Sequence, residues 1–350
     1  MAAKFDVSAL TLNAEEVKEV SKVIVEQAFI NGNLADIHDI QTGIAHKQQI
    51  LFVDNLPVGG KALSGCTPAE IAALGFTQKY WDPALVAGRF THCANDENKL
   101  FKILKKATNV YPDFFEGLGN DVERMVSAII LTHIEESVLA KAWFSDTAAA
   151  LIAGGGVFKA GTDVAIFNQF DGIFKQIFAD ATIPKTAIAK NAGANYAAQV
   201  LTDAEAFAVV KGVYDKADSR LKSSPDGRIM VTSEIYYGYL NHIQTTQNAG
   251  GIITTMIDGV VKVSYMGVPV MNMGTWTRNI IDFQDTGVKL NVPHRAVYTV
   301  KANIPLGTLS QDDLQNLDSF YYRKDNQNII DYGYFLDAKL GEAYMTSVAY

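Results

Sequence analysis

Cysteine is nearly absent: Cys66 and Cys93 are the only two in 350 residues. That excludes a disulfide-stapled scaffold and points to a reducing compartment. Charged residues are scarce too, 19% of the chain, against about a quarter in ordinary proteins. The chain is therefore no disordered or solvating protein, and the low charge suggests a surface partly covered by a partner. Basic residues are outnumbered, and the formal net charge is −8. A free-standing nucleic-acid binder is normally basic, so tight DNA or RNA binding is disfavoured. No run of about 18 apolar residues occurs, so no membrane span is expected. The start, Met1 to Val7, lacks the apolar core of a signal peptide, and the reading is of a soluble, cytosolic chain. What is plentiful is apolar: 48% of the residues, enough for a sizeable core and, at this length, about two domains.

Catalytic motifs are missing as well. Gly154-Gly155-Gly156 is followed by Val157 and Phe158, not by the Gly-Lys-Ser/Thr of a phosphate loop, and the third glycine of a dinucleotide fingerprint would fall on Lys159. The run reads as a turn or hinge. His92, Cys93 and Cys66 could supply soft metal ligands, but no paired Cys-x-x-Cys or His-x₃-His spacing is present. Two unpaired cysteines read as small buried hydrophobes. His133, Glu135 and Glu136 lack the Pro-Cys-x-x-Cys half of a zinc deaminase, and the two glutamates point about 100° apart on a helix. There is no Gly-x-Ser-x-Gly elbow. The histidines His38, His46, His92, His133, His242 and His294 show no partner spacing. Lys99, Lys102, Lys105 and Lys106 read as a solvated basic helix face. Tyr236, Tyr237, Tyr239, Tyr321 and Tyr322 could stack bases, but the acidic balance favours packing. No catalytic, cofactor-binding or metal residue is assigned, no cofactor is expected, and the chain does not read as an enzyme.

The architecture is more telling. Asn13 and Glu16 have capping-box spacing and open a helix with an apolar stripe Val17, Val20, Ile24 and Phe29, ended at Asn31-Gly32. Residues 34–95 are dotted with glycine and short apolar runs, as in extended strand and long loop. Asn120 and Glu123 open a long helix to Phe144 that spans roughly 36 Å. Residues 165–178 are expected to be helical and 184–198 mostly loop. Thr202 and Glu205 cap a helix to Leu221, Pro225-Asp226-Gly227 turns, and a strand at 228–232 leads into a helix at 234–245. Asp258-Gly259 between two β-branched runs marks a hairpin. Strands follow at 268–271, at 296–300 and after Tyr321. Helices and strands come in separate runs, so the fold class is α+β.

Arg228-Ile-Met-Val-Thr-Ser-Glu-Ile-Tyr-Tyr-Gly-Tyr-Leu240, following a helix and a turn, resembles a strand-then-helix segment of tailed-bacteriophage major capsid proteins. Tyr265-Met-Gly-Val-Pro-Val-Met-Asn-Met273 is similar to that family's y-x-G-x-P-v strand, and Pro293 to Thr308 to its returning strand with an Asn…Leu-Gly ending. Phe167 to Ile177 resembles a segment found in Bacteroidetes-infecting phages. The order of elements is similar to the Hong Kong 97 capsid fold over most of the chain.

That resemblance implies a map. Residues 1–33 would be an N-terminal arm and 34–95 an extended-loop region. Residues 96–144, with the spine helix, and 290–335 would form a peripheral domain, and 145–289 with 336–350 an axial domain. It implies hexamers and pentamers closing into an icosahedral shell around packaged double-stranded DNA, in the virion and, during assembly, in host cytoplasm. The expected partners are identical copies, separate scaffolding, portal and decoration proteins, and DNA held by weak non-specific contact. The chain starts almost at the arm, so any scaffold is expected as a separate protein. Lys-to-Asn crosslinking, known in some relatives, has no pair assigned here. An encapsulin-type compartment and a cytosolic enzyme with an unrecognised site are the alternatives.

Overall fold

Ala296–Val300 is buried at every position, as a strand covered on both faces must be. The computed structural model describes residues 33–44, 47–53, 76–93, 133–246, 255–257, 260–309, 318–322 and 327–350. The expected arm helix, the spine helix before residue 133, Cys66, the lysines from Lys99 to Lys106 and the Asp258-Gly259 turn lie outside them.

Ala296–Val300 is the third strand of a seven-stranded sheet ordered Lys185–Thr186, Thr346–Ala349, Ala296–Val300, Gly227–Val231, Val268–Asn272, Val260–Tyr265 and Thr255–Ile257. It runs antiparallel to both neighbours, while Gly227–Val231 runs parallel to Val268–Asn272. Side chains alternate between two cores, as the two-residue period of a strand requires. Ile229, Val231, Ala296 and Tyr298 pack against Val209, Val210, Val213, Ile235 and Tyr239. Met230, Val297 and Val348 point the other way, into a core with Trp143, Phe174, Trp276 and Ile280. The large sheet is thus the middle of three layers.

The first helical layer was readable from its caps. Helix Asp203–Lys216 opens with the expected capping box: Thr202 N donates to Glu205 Oε2 at 2.8 Å, and Glu205 N to Thr202 Oγ1 at 3.3 Å. Its buried residues Ala206, Val209, Val210 and Val213 follow helical spacing. Helix Ser233–Thr245 lies beside it. The opposite layer holds Ile173–Ala179 and Gly274–Phe283. The expected helix at 165–178 is shorter at its start, with one turn at Val164–Ile166 and an α-helix only from Ile173. The reason is local: Asp171 Oδ1 is taken by Thr147 N at 2.9 Å, and a Cβ on Gly172 would lie 2.9 Å from Ser145 N. The chain there is pinned to the neighbouring loop before it can coil.

A second sheet carries a long ribbon. Ala84–Cys93 pairs antiparallel with Gln327–Ala338 from Ala84 opposite Leu336 to Cys93 opposite Gln327. Asp318–Tyr322, Leu306–Gly307 and Ile40–Gln41 complete it. Helix 133–144 joins the two sheets: Ser137 Oγ lies 3.4 Å from the Tyr334 hydroxyl, and the Trp143 ring 4.5 Å from that of Trp276. Residues 296–300, grouped from sequence with the peripheral strands, lie instead among strands of the 145–289 segment. A third, two-stranded sheet is the antiparallel hairpin Gln48–Val53 with Phe76–Trp81.

Candidate functional site

Among the described residues the groups singled out for chemistry do not converge. Gly154-Gly155-Gly156 closes a tight turn, in accord with the sequence reading: Gly155 has φ 82°, and a Cβ on Gly156 would sit 2.0 Å from the Ala150 carbonyl oxygen. His92 and Cys93 end the ribbon strand opposite Asn328 and Gln327. Among the described residues no three His, Cys, Asp or Glu side chains gather as a metal site. Glu136 pairs with Arg278 at 2.7 Å. The Glu135 carboxyl is raised by its partial burial and by Glu136, and His133 is lowered by burial and by Lys141. His242 lies against the Phe207 ring at 4.8 Å.

Two histidines are structural joints. His38 is fully buried, accepts from Trp143 Nε1 at 3.0 Å on Nε2, and so donates from Nδ1 to the Ile304 carbonyl at 2.9 Å. Burial drives its pKa down to about 4, against the Ile304 hydrogen bond and with help from Arg228 and Lys301. His294 donates from Nε2 to the Gln199 carbonyl at 2.6 Å, and burial lowers it as well. Tyr239 is buried, with its hydroxyl donating to Ser264 O at 3.0 Å, whereas Tyr237 is 57% exposed. Among the described residues Tyr236, Tyr237 and Tyr239 form no stacking row.

What the structure does present is a surface with little of its own to rest on. The hairpin forms a sheet by itself, and an isolated hairpin is at best marginally stable in water. Among the described residues, two side chains and one backbone N–H root it. Trp81 is 2% exposed and lies over Gly307. Lys79 Nζ donates to the carbonyls of Leu340 and Gly341, the second at 2.7 Å. Asp82 N, just past the hairpin, donates to Asp337 Oδ2 at 2.7 Å. Asp337 is fully buried, and burial raises its carboxyl despite Lys339 at 2.9 Å. These rooting residues were not picked out from sequence. The signal for Asp337 was there, as an acid inside the apolar run Tyr334-Phe-Leu-Asp-Ala338. Tyr80 and Leu85, on either side of this root, are exposed. On the large-sheet side Tyr196, Val200, Tyr237, Met266 and Val288 are exposed. The arrangement suits contact with other chains.

Neither a protein-family model nor a curated protein matches the chain. Solved structures do. A chain of the satellite phage P4 procapsid including the size determination (Sid) protein aligns at a TM-score of 0.52 and 10% identity, over 99% of this chain and 93% of that one. The chain has a capsid-protein fold. A chain from the capsid of an empty GTA particle aligns at 0.51 and 11% identity, over 90% of this chain and 88% of that one. At such identity the capsid likeness speaks for the fold alone. The α+β class and the capsid fold expected from motif order are both found.

Proposed function

We propose that this chain is a tailed-phage major capsid protein, whose copies form hexamers and pentamers of an icosahedral shell enclosing double-stranded DNA. The observation that carries the reading is the near end-to-end alignment with a procapsid chain. Physical features support it. Tyr80 on the hairpin and Leu85 on the ribbon strand are exposed apolar side chains, and identical copies repeated around a ring can cover them. Interfaces of this kind commonly bury more than about 2,000 Å². With a net charge of −8 the subunit does not draw DNA in by its own charge, so packaging falls to a separate motor. Among the described residues no helix is long and apolar enough to cross a membrane.

The domain map changes in several places: residues 40–41, 84–93 and 336–338 join the peripheral domain, and 296–300 joins the axial domain. The paired strands Gln48–Val53 and Phe76–Trp81 belong to the extended loop. Helix 133–144 and the ribbon sheet make the peripheral domain. The large sheet with its helices makes the axial domain, and it takes in 296–300 along with 346–349. The subunit works as a structural part and not as a catalyst. Electron microscopy of the overexpressed protein tests this. Rings or closed particles are expected. A stable monomer at high concentration would overturn it.

A further inference from the structure

Arg295 is an anomaly in the core. It is 2% exposed and has no acidic partner among the described residues. An unpaired buried charge is costly, and proteins normally pair it or neutralise it. Here three of its bonds go to neutral acceptors: Nε donates to Val292 O at 2.9 Å, and Nη2 to Gln284 Oε1 at 2.8 Å and Asn291 O at 3.2 Å. The guanidinium lies over the Phe174 ring at 4.5 Å, with Phe144 and Phe178 at 5.1 and 5.5 Å. Burial lowers its pKa to about 9, so it stays charged at neutral pH. Its Nη1 edge meets no acceptor among the described residues.

Around Arg295 is a cavity of about 240 Å³. Phe144, Phe158, Phe174 and Phe178 contribute to its lining. So does Ser145, 1% exposed, whose hydroxyl is buried with no hydrogen-bond partner. The other charges are Lys175 and Asp146, which neutralise each other at 3.0 Å. The cavity therefore carries one net positive charge. Val292, also in the wall, has φ 45°. That is a rare conformation for a β-branched residue, and such strain gathers at functional sites. It turns the Val292 carbonyl onto Arg295 Nε and so leaves the Nη1 edge for something else.

We propose that this cavity is a carboxylate-binding site, with the acid seated on Arg295 Nη1 and the Ser145 hydroxyl and its apolar stem between the phenylalanine rings. Planar carboxylates match the guanidinium fork, and the aromatic walls suit a carbon stem. The acid comes either from an Asp or Glu side chain of a second copy or from a small free organic acid. The site stands whether or not the chain forms shells.

Benzoate is the probe, titrated into the unassembled protein and read by tryptophan fluorescence. Trp143 and Trp276 report on the site because both touch Phe174, at 5.1 and 4.9 Å. Saturable binding near 1 mM is expected, on the order of a small-ligand affinity, with benzamide about tenfold weaker because it lacks the charge. Arg295→Lys should lose about tenfold. Ser145→Ala, which removes a hydroxyl with no hydrogen-bond partner among the described residues, should fold normally and lose about threefold. It keeps the test valid should the arginine variant fail to fold. No saturable response, an equal response to benzamide, or Ser145→Ala binding as well as the parent would each overturn the site. Repeating the titration on assembled protein separates the sources. Benzoate shut out by assembly assigns the seat to a neighbour's acidic side chain, and benzoate still binding assigns it to a free acid.

Discussion

The large sheet and the hairpin of Gln48–Val53 with Phe76–Trp81 are built from the same kind of strand, yet they stand in opposite situations. The sheet is covered on both faces by its own chain, and residues of its central strand reach two separate cores. Among the described residues the hairpin is covered by nothing comparable and is rooted through Trp81, Lys79 and the Asp82–Asp337 bond. The difference teaches where each region's stability comes from. One is self-sufficient because its period-two pattern finds a partner layer on each side. The other depends on a few joints and on whatever lies over it. In a shell subunit this is a useful division, since a rigid body carries a loosely held contact element.

The largest effect is expected from attacking the self-sufficient side. Trp276 is 1% exposed, and its ring lies 4.5 Å from Trp143 and 4.9 Å from Phe174. Trp276→Ala removes the side chain that fills the space between the large sheet and its second helical layer. A loss of about 3–5 kcal/mol is expected, seen as a fall in the urea midpoint with loss of soluble particles. A change below about 1 kcal/mol would mean this layer is not part of the core.

Next comes the joint between the sheets, through pH. His38 is neutral in the folded chain, with a pKa of about 4 against the ordinary 6.5. The unfolded chain therefore takes up a proton first as pH falls. Stability from this group is fully present above about pH 6.5 and is lost progressively down to about pH 4, by a few kcal/mol in all. His38→Gln can still accept from Trp143 and donate to Ile304 without titrating. Its stability should decline less over that window, as read by thermal unfolding at several pH values. Parallel declines in the two proteins would rule His38 out as the acid-sensitive joint.

Legibility from sequence followed the same division. The Thr202–Glu205 box was readable because its bonds are local. The Asp258-Gly259 hairpin signal was readable for the same reason, and the flanking strands do pair, with Ile257 opposite Val260. The run 296–300 was found as a strand with its true bounds, but not its sheet. Strand partners are fixed by contacts distant in sequence, which the residues of the strand do not themselves carry, and the resemblance alone placed 290–335 with the peripheral strands. Helix Gly274–Phe283 went unread because it starts straight after a strand with no side-chain cap, at Met273. Its Trp276, Ile280 and Phe283 do have helical spacing, so a period count there would have found it. Arg295 stands next to His294 at the start of a strand, and nothing in its neighbours told that its fork would be left half-paired.

The smallest expected effect on stability, and the most direct test of the comparison, is at Gly307. It pairs with Gln41 on one side and Asp337 on the other, so its backbone is held. A Cβ there would come within 2.7 Å of Trp81 Cε3 and 2.9 Å of Cζ3. Gly307→Ala must therefore push the indole, and with it the root of the hairpin, while leaving the large sheet alone. A cost of about 1–3 kcal/mol is typical of such crowding. Because the hairpin contributes little to the core, most of it should appear locally. Amide exchange at 76–81 should rise while 227–231 and 296–300 stay as protected as in the parent, and particle yield by electron microscopy should drop at nearly unchanged unfolding midpoint. Uniformly faster exchange, with the midpoint falling as for Trp276→Ala, would show that the hairpin is one cooperative unit with the core and that the two regions do not differ as described.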